Sequence, residues 1–207
     1  MAMTTTDFEA PATSAELETL AGRLRERNFE VVIVQNGAEA KAEVMKRIPE
    51  GASVHSGKSK TLEDAGIFEE LMSSDRFDFV RRRTSKMDRN TQGDEIRKIS
   101  SSPDVMLGSV QAVTEAGRLV ITSASGSQIG PIASGAGHLI LVIGSQKVVP
   151  DLDSAFRRIE EHVFPWEDAR LRELMNIGTK ITRTLILDRD FMPGRTTIVL
   201  VREPIGI

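Results

Sequence analysis

The chain has 207 residues, with 27 Lys and Arg against 30 Asp and Glu, and it contains no Cys and no Tyr. This length can bury a substantial core as one α/β domain, and a formal net charge of −3 gives no strong attraction to nucleic acid. The absence of Cys excludes disulfides, thiolate nucleophiles and any iron–sulfur cluster that is held by Cys ligands of this chain.

The N-terminal residues, MAMTTTDFEAPAT, predict a flexible polar tail over residues 1–13. This segment has neither the basic start nor the apolar stretch of a secretory signal. No apolar run in the sequence approaches the roughly 20 residues that cross a bilayer. We therefore expect a cytoplasmic protein, without membrane partners, whose single α/β domain covers residues 14–207.

Helices and strands alternate in the first half of the chain. Leucines at helical spacing and a Ser14 cap predict the first helix, and runs such as FEVVIV predict strands. Thr61 opens a further helix, with Asp64 placed as in a capping box. The predicted helices cover residues 14–28, 38–48, the segment from Thr61, and 88–100, and the predicted strands cover residues 29–34, 52–55 and 77–82.

Three short apolar runs dominate the second half, VMLG, RLVIT and HLILVIG, and each is bounded by turn residues. Such runs are typical of buried strands in a parallel sheet. Helices are predicted over 150–162 and 165–176 and a strand over 196–201, while 181–187 could be a strand or a connector. The alternation favours a three-layer, Rossmann-like α/β fold with an open, mostly parallel sheet, which would bind ligands beyond the carboxyl ends of its strands.

The segment Ala52–Ser59, ASVHSGKS, matches a relaxed phosphate-loop pattern. The predicted strand lies inside the pattern rather than before it, which argues against nucleotide hydrolysis. Gly57, Lys58, Ser59 and Thr61 nevertheless stand where a strand end meets a helix start, and such a junction attracts anions. The alternative is a capped helix whose lysine is solvated.

A second candidate is the loop SASGSQIGPIASGAG, which starts at Ser123 and lies between two predicted buried strands. Successive backbone amides in such a loop can hold a phosphate, a carboxylate or an oxyanion. The alternative is an ordinary surface loop, since loops are commonly rich in Gly and Ser. The predicted anion-binding residues of this loop are Ser123, Ser125, Gly126, Ser127 and Gln128.

Glu115 is the third candidate, an acid at a turn beside a predicted strand. A carboxylate in this position could act as a general base or a nucleophile. It could equally be an exposed turn residue that precedes Gly117. With only three His in the chain, no metal site is predicted, and no motif identifies a cofactor.

Several segments, taken in order, resemble the LUD-domain family, the family of the lactate-utilisation protein C. They are Pro49-Glu50-Gly51-Ala52-Ser53, Gly57-x-Ser59-x-Thr61-Leu62, Asp104-Val105-x-Leu107-Gly108, Thr114-Glu115-x-Gly117-x-Leu119 and Val149-Pro150-Asp151-Leu152. The resemblance covers roughly residues 14–203. It implies the fold of the sugar isomerase and CoA-transferase superfamily, and an association with the oxidation of L-lactate to pyruvate beside iron–sulfur partner proteins.

The resemblance also bears on the reaction. Sugar isomerases of that superfamily often carry an acid where this chain has Val110, and valine cannot transfer a proton. Glu115 resembles the glutamate of the family's T-E-x-G pattern, and CoA transferases use a glutamate as their nucleophile. That role for Glu115 would rest on analogy of fold.

Three hypotheses follow. The favoured one is an accessory or regulatory LUD-type protein that binds a small anionic metabolite, in a pocket built from Gly57–Thr61, Glu115 and Ser123–Gln128. The alternative is an enzyme of acyl or CoA transfer, cyclo-ligase or phosphosugar chemistry that uses Glu115. The third is a scaffold subunit that docks iron–sulfur proteins.

Overall fold

The computed structural model describes residues 7–207. Its strands are all short, and they are β1 (Glu30–Val34), β2 (Ser53–Ser56), β3 (Asp78–Phe79), β4 (Val105–Gly108), β5 (Ala112–Thr114), β6 (Leu119–Ser123), β7 (His138–Gly144), β8 (Val148–Val149), β9 (Arg183–Leu187) and β10 (Thr196–Val201). All three runs predicted as strands from VMLG to HLILVIG are confirmed, and the ambiguous 180s form a strand.

The helices are mostly short and lie between the strands. They are α1 (Ser14–Arg25), α2 (Gly37–Arg47), α3 (Lys60–Asp64), α4 (Ile67–Ser73), α5 (Val80–Thr84), α6 (Gly93–Ser101), α7 (Leu152–Arg158) and α8 (Phe164–Met175). Within residues 7–207, no helix is both long and apolar enough to cross a membrane.

A six-stranded parallel sheet forms the centre of the molecule, in the order β1-β10-β7-β4-β2-β3. Its strand β10, TTIVLV, is buried along its whole length, as expected where both faces of a sheet are covered. Alternate residues of β10 serve opposite faces, with Val199 in one apolar cluster and Ile198 in the other. The predicted α/β class with a Rossmann-like, mostly parallel sheet is confirmed.

The two faces of this sheet are covered differently. One face packs against α2, α3 and α4 through residues such as Val44 and Leu71. The other packs against Leu20 and Leu24 of α1 and against a second sheet of order β8-β5-β6-β9. The outer side of this second sheet is covered by Ala155 of α7.

The second sheet overturns one sequence prediction. The run RLVIT was assigned to the parallel sheet, but β6 pairs antiparallel with both β5 and β9. The reason is a tight turn at 115–117, in which the Gly117 amide donates to the Thr114 carbonyl at 2.7 Å and Gly117 has a φ of +84°. A left-handed glycine in a short loop reverses the chain into a hairpin.

Two helix starts also differ from the prediction. Thr13, not Ser14, caps α1, because its hydroxyl accepts from the Glu16 amide while the Glu16 carboxylate accepts from the Thr13 amide. Ser59, not Thr61, caps α3, since its hydroxyl accepts from the Leu62 amide at 3.4 Å. In each case the residue that is free of helical backbone angles takes the capping position.

The second half of the predicted strand over 77–82 is helical. Only Asp78–Phe79 pairs with β2, and the chain then turns directly into α5. The predicted helix over 88–100 begins later, at Gly93.

The two predicted helices over 150–176 form one continuous helical stretch. A single π-helical turn, Ile159–Val163, joins α7 to α8. Pro165 lies just after that turn and has no N–H to donate to the preceding helical turn. The wider π-helical turn accommodates the missing hydrogen bond without ending the helix.

The predicted tail over 1–13 is only partly described, because residues 1–6 lie outside the described range. Of the rest, Phe8 is buried, and its carbonyl accepts from Arg158. The Ala12 amide donates to the Ser145 carbonyl at 3.2 Å.

Candidate functional site

A cavity of about 230 Å³ opens at the carboxyl ends of β2, β4 and β7. Lys58–Thr61 enters it from the end of β2, Ser109–Gln111 from the end of β4 and Lys147 from the turn after β7. Carboxyl ends of parallel strands meet at one edge of a sheet, so segments far apart in sequence become neighbours there. The cavity therefore lies where an open α/β sheet is expected to bind its ligand.

Lys147 forms part of the cavity lining although its exposed fraction is only 3%. Its ammonium donates to the Thr61 hydroxyl at 2.8 Å, to the Ser109 hydroxyl at 3.1 Å and to the Val110 carbonyl at 3.2 Å. All three acceptors are neutral oxygens. The three donors of a lysine are thus satisfied, while its positive charge is not balanced by a bonded carboxylate.

The surroundings of Lys147 change its acidity. The pKa of Lys147 is lowered to about 7, first by burial and then by the nearby charge of Arg158, against a smaller opposing effect of Asp64. An amine with a pKa in this range is present in both protonation states at neutral pH. It can hold an anion when charged and can accept a proton when neutral.

The turn that carries Lys147 is held by the C-terminal segment. The Gln146 carboxamide donates to the carbonyls of Ile205 at 3.0 Å and Gly206 at 3.2 Å, and it accepts from the Ile205 amide. Gly206 has a φ of +79°, and a Cβ there would collide with Thr61. These contacts fix the position of Lys147 beside Thr61.

The predicted residues of the first segment have separate roles. Lys58 is exposed at the cavity, while Thr61 is buried and accepts from Lys147. The hydroxyl of Ser59 is engaged in capping α3, a helix of only five residues. Because β2 occupies Ser53–Ser56, inside the phosphate-loop pattern, only residues 57–59 remain as a loop before α3, which is too short for the loop of a nucleotide-hydrolysing protein.

The structure brings the Ser123 loop next to this segment. Gln128 and Ser123 line the cavity, and a Cβ on Gly57 would collide with the Gln128 carboxamide. Gly57 therefore permits the close approach of the two segments.

The middle of that loop, residues 125–127, is not part of the cavity lining. The hydroxyls of Ser125 and Ser127 lie 3.0 Å apart and bond to each other, and the Gly126 amide donates to the Ser123 hydroxyl at 2.9 Å. Some hydroxyls and amides of this loop are thus engaged in hydrogen bonds within the loop.

Glu115 lies elsewhere. It lines a second depression, of about 410 Å³, together with Arg23 and Pro150. The Arg23 guanidinium donates to the Glu115 carbonyl at 2.6 Å and stands 3.9 Å from its carboxylate. The structure therefore does not bring Glu115 together with Lys58 and Gln128 in one cavity.

The α7–α8 stretch lines another wall of the cavity, with five apolar residues and the ion-paired Glu167 and Arg170. The apolar residues are Ile159, Val163, Phe164, Trp166 and Leu171. The Arg170 guanidinium stacks over the Trp166 ring at 5.5 Å and binds the Glu167 carboxylate through two bonds of 2.8 Å. The π-helical turn ends at this wall, in keeping with the frequent occurrence of such turns at functional sites.

Sequence reasoning missed Lys147 and this wall. Lys147 follows HLILVIG in what reads as a surface turn, and only its position between two apolar runs could have signalled burial. Trp166 could not be placed at a cavity without knowing where α8 packs. Among residues 7–207, no group of three or more His, Asp or Glu is arranged to hold a metal ion.

Comparisons with known proteins agree with this fold. The structure is similar to that of a DUF162 family protein from Deinococcus radiodurans, with 10% identity, a TM-score of 0.55, and coverage of 92% of this chain and 99% of that chain. A likeness at this identity concerns the fold alone. A search of the curated proteins finds no match. The family model described as the LUD domain matches residues 17–201. The chain therefore belongs to the LUD-domain family, and this membership supports a lactate-utilisation-associated role at the level of the family.

Proposed function

We propose that this protein is an accessory or regulatory component of L-lactate utilisation, and that it binds a small anionic metabolite in the cavity around Lys147. The observation that carries the proposal is the environment of Lys147. It is a buried lysine that lines a cavity and whose hydrogen-bond partners are all neutral.

A buried cation without a bonded counter-ion is costly in a folded protein. Two further lysines of the cavity lining, Lys58 and Lys180, likewise have no carboxylate within ion-pair distance among residues 7–207, whereas Lys60 pairs with Asp64. A carboxylate or phosphate in the cavity would supply the missing negative charge, and it would bond Lys147 by replacing one of its neutral acceptors with a charge-assisted hydrogen bond. The uncompensated lysines therefore favour an anionic ligand.

The family context narrows the ligand to organic acids. Lactate and pyruvate are both carboxylates, and either matches the charge of the cavity. Because the chain has no Cys, an iron–sulfur cluster that oxidises lactate would belong to a partner protein. On this proposal the protein senses or delivers the acid, and the partner performs the electron transfer.

Replacing Lys58 with alanine is expected to weaken the binding of L-lactate or pyruvate about two- to fivefold. The effect is modest because Lys58 is exposed, and water and salt screen its charge. Titration calorimetry at low ionic strength measures it. The matched control is Lys46→Ala, which removes an exposed lysine of α2 outside the cavity and should leave the affinity unchanged. Equal affinities in the wild type and Lys58→Ala would remove Lys58 from the site, and absence of binding by the wild type would refute the proposal.

The alternative hypothesis is an enzyme of acyl or CoA transfer, cyclo-ligase or phosphosugar chemistry in which Glu115 is the base or nucleophile. The observation in its favour is the Arg23–Glu115 pair at the second depression, where a guanidinium could orient the carboxylate. If it is correct, Glu115→Gln should abolish turnover of a CoA thioester or a phosphosugar while the thermal unfolding midpoint stays unchanged. A Glu115→Gln protein that retains turnover would exclude this role.

A further inference from the structure

We propose that the preferred ligand is an organic acid whose carboxylate is joined to an apolar body of about the size of a phenyl ring. The carboxylate would lie at the Lys147 end of the cavity and the apolar body against the Trp166 wall. This inference rests on the proposed anion binding and adds the chemical class of the ligand.

The cavity has two chemically distinct ends. Its inner end, at the strand termini, presents Lys147 together with the hydroxyl-bearing residues Thr61 and Ser109. Its other wall presents hydrocarbon and aromatic surface from Val163, Phe164 and neighbouring residues of the α7–α8 stretch, beside Glu167 and Arg170, whose charges neutralise each other in an ion pair. A ligand that complements both must be charged at one end and apolar at the other.

The size of the cavity argues against a ligand as small as lactate. With a volume of about 230 Å³, the cavity has room for many waters at once. A small hydroxy acid held by Lys147 would leave the apolar wall in contact with water. An apolar substituent would displace that water and gain the free energy of burying both surfaces.

Trp166 is positioned for such a contact before any ligand arrives. The two bonds between Arg170 and Glu167 fix the guanidinium, and the guanidinium in turn covers the Trp166 ring at 5.5 Å. A ring held in this way loses little conformational entropy on binding. Trp166 is the only tryptophan of the chain, so its fluorescence reports on this wall alone.

The test compares three ligands by titration calorimetry and Trp166 fluorescence, namely L-lactate, 3-phenyllactate and the uncharged 3-phenylpropane-1,2-diol. We expect 3-phenyllactate to bind the wild type about 10- to 100-fold more tightly than L-lactate. The diol should bind more weakly than 3-phenyllactate by at least the same factor. In Trp166→Ala the ratio of the 3-phenyllactate and L-lactate affinities should fall below about threefold, and Trp166→Phe should restore most of it.

The outcomes separate the two proposals. If L-lactate binds as tightly as 3-phenyllactate, the inference about the apolar body is overturned while anion binding stands. If the diol binds as tightly as 3-phenyllactate, the carboxylate makes no contribution and the anion site itself is refuted. If none of the three binds, both proposals fail. The ligand comparison uses the wild-type protein, so it remains decisive even if Trp166→Ala does not fold.

Discussion

Replacing Lys147 with methionine should weaken anion binding at least tenfold and at the same time raise the free energy of unfolding at pH 7 by about 1–3 kcal/mol. Binding is lost because the buried positive charge of the cavity is removed. Stability rises because folding no longer has to desolvate an ammonium that lacks a bonded carboxylate. The Val110 carbonyl loses its lysine donor in the variant, which limits the gain.

The same change should alter how stability depends on pH. The pKa of Lys147 is lowered from 10.5 in an unperturbed lysine to about 7 in the folded protein. Below pH 7 Lys147 is protonated in both the folded and the unfolded protein, and burying its ammonium lowers the free energy of unfolding by the full amount. Between pH 7 and 10.5 only the unfolded chain keeps it, so the free energy of unfolding rises with pH, by several kcal/mol at most. Above that window both states are neutral, and the destabilisation is gone.

Urea unfolding at pH 7 and at pH 9.5 measures both effects. The chain has neither Tyr nor Cys to titrate in this window, and the comparison with a second lysine variant accounts for the remaining lysines. Lys147→Met should flatten the rise of stability with pH, whereas Lys58→Met, at an exposed lysine of the same cavity, should keep it. If Lys147→Met is less stable than the wild type at pH 7, then the buried ammonium does not lower the free energy of unfolding, and the prediction is wrong.

The affinity for a carboxylate should fall as pH rises through neutrality, by roughly 25-fold between pH 6.5 and 8.5. The ligand is fully ionised across this range, so the change comes from the protein. Only the protonated form of Lys147, whose pKa in the free protein is about 7, attracts an anion. The protonated form falls about fivefold from pH 7 to pH 8 and about tenfold for each pH unit beyond that.

Titration calorimetry in buffers of different ionisation enthalpy checks this prediction, because it also counts protons. At pH 8 the wild type should take up close to one proton per bound carboxylate. In Lys147→Met the remaining weak binding should show neither the proton uptake nor the pH dependence. A wild-type affinity that is constant from pH 6.5 to 8.5 would mean that Lys147 does not hold the anion.

The central sheet was predictable because its strands carry their own signal. HLILVIG and TTIVLV are continuous apolar runs between turn residues, and both are fully covered central strands. The second sheet was not predictable in the same way. The pairing of β6 depends on the turn at Gly117, and β9 is a half-exposed edge strand whose partner comes from more than fifty residues earlier in the chain.

In the candidate site, too, some residues could be predicted from the sequence and others could not. Gly57, Lys58 and Thr61 could be proposed from the sequence because a strand end and a helix start lie next to each other there. Lys147 could not be proposed, because its hydrogen-bond partners come from 38 and 86 residues away along the chain. Glu115 carries a family-like motif, but its position relative to the cavity depends on the way the hairpin folds back.

The amino-acid sequence by itself determined the α/β class, the membership of the LUD-domain family and the edge of the sheet at which a ligand would bind. The class and the edge of the sheet follow from local hydrophobic periodicity and the order of the predicted elements, and the family follows from the likeness of the sequence to that family, none of which needs knowledge of distant contacts. Only the tertiary structure decided that Lys147 is buried among neutral oxygens, that it shares a cavity with apolar side chains of α8 and that Glu115 lies elsewhere. Burial and electrostatic environment are properties of segments that meet in space, and no short stretch of sequence contains them.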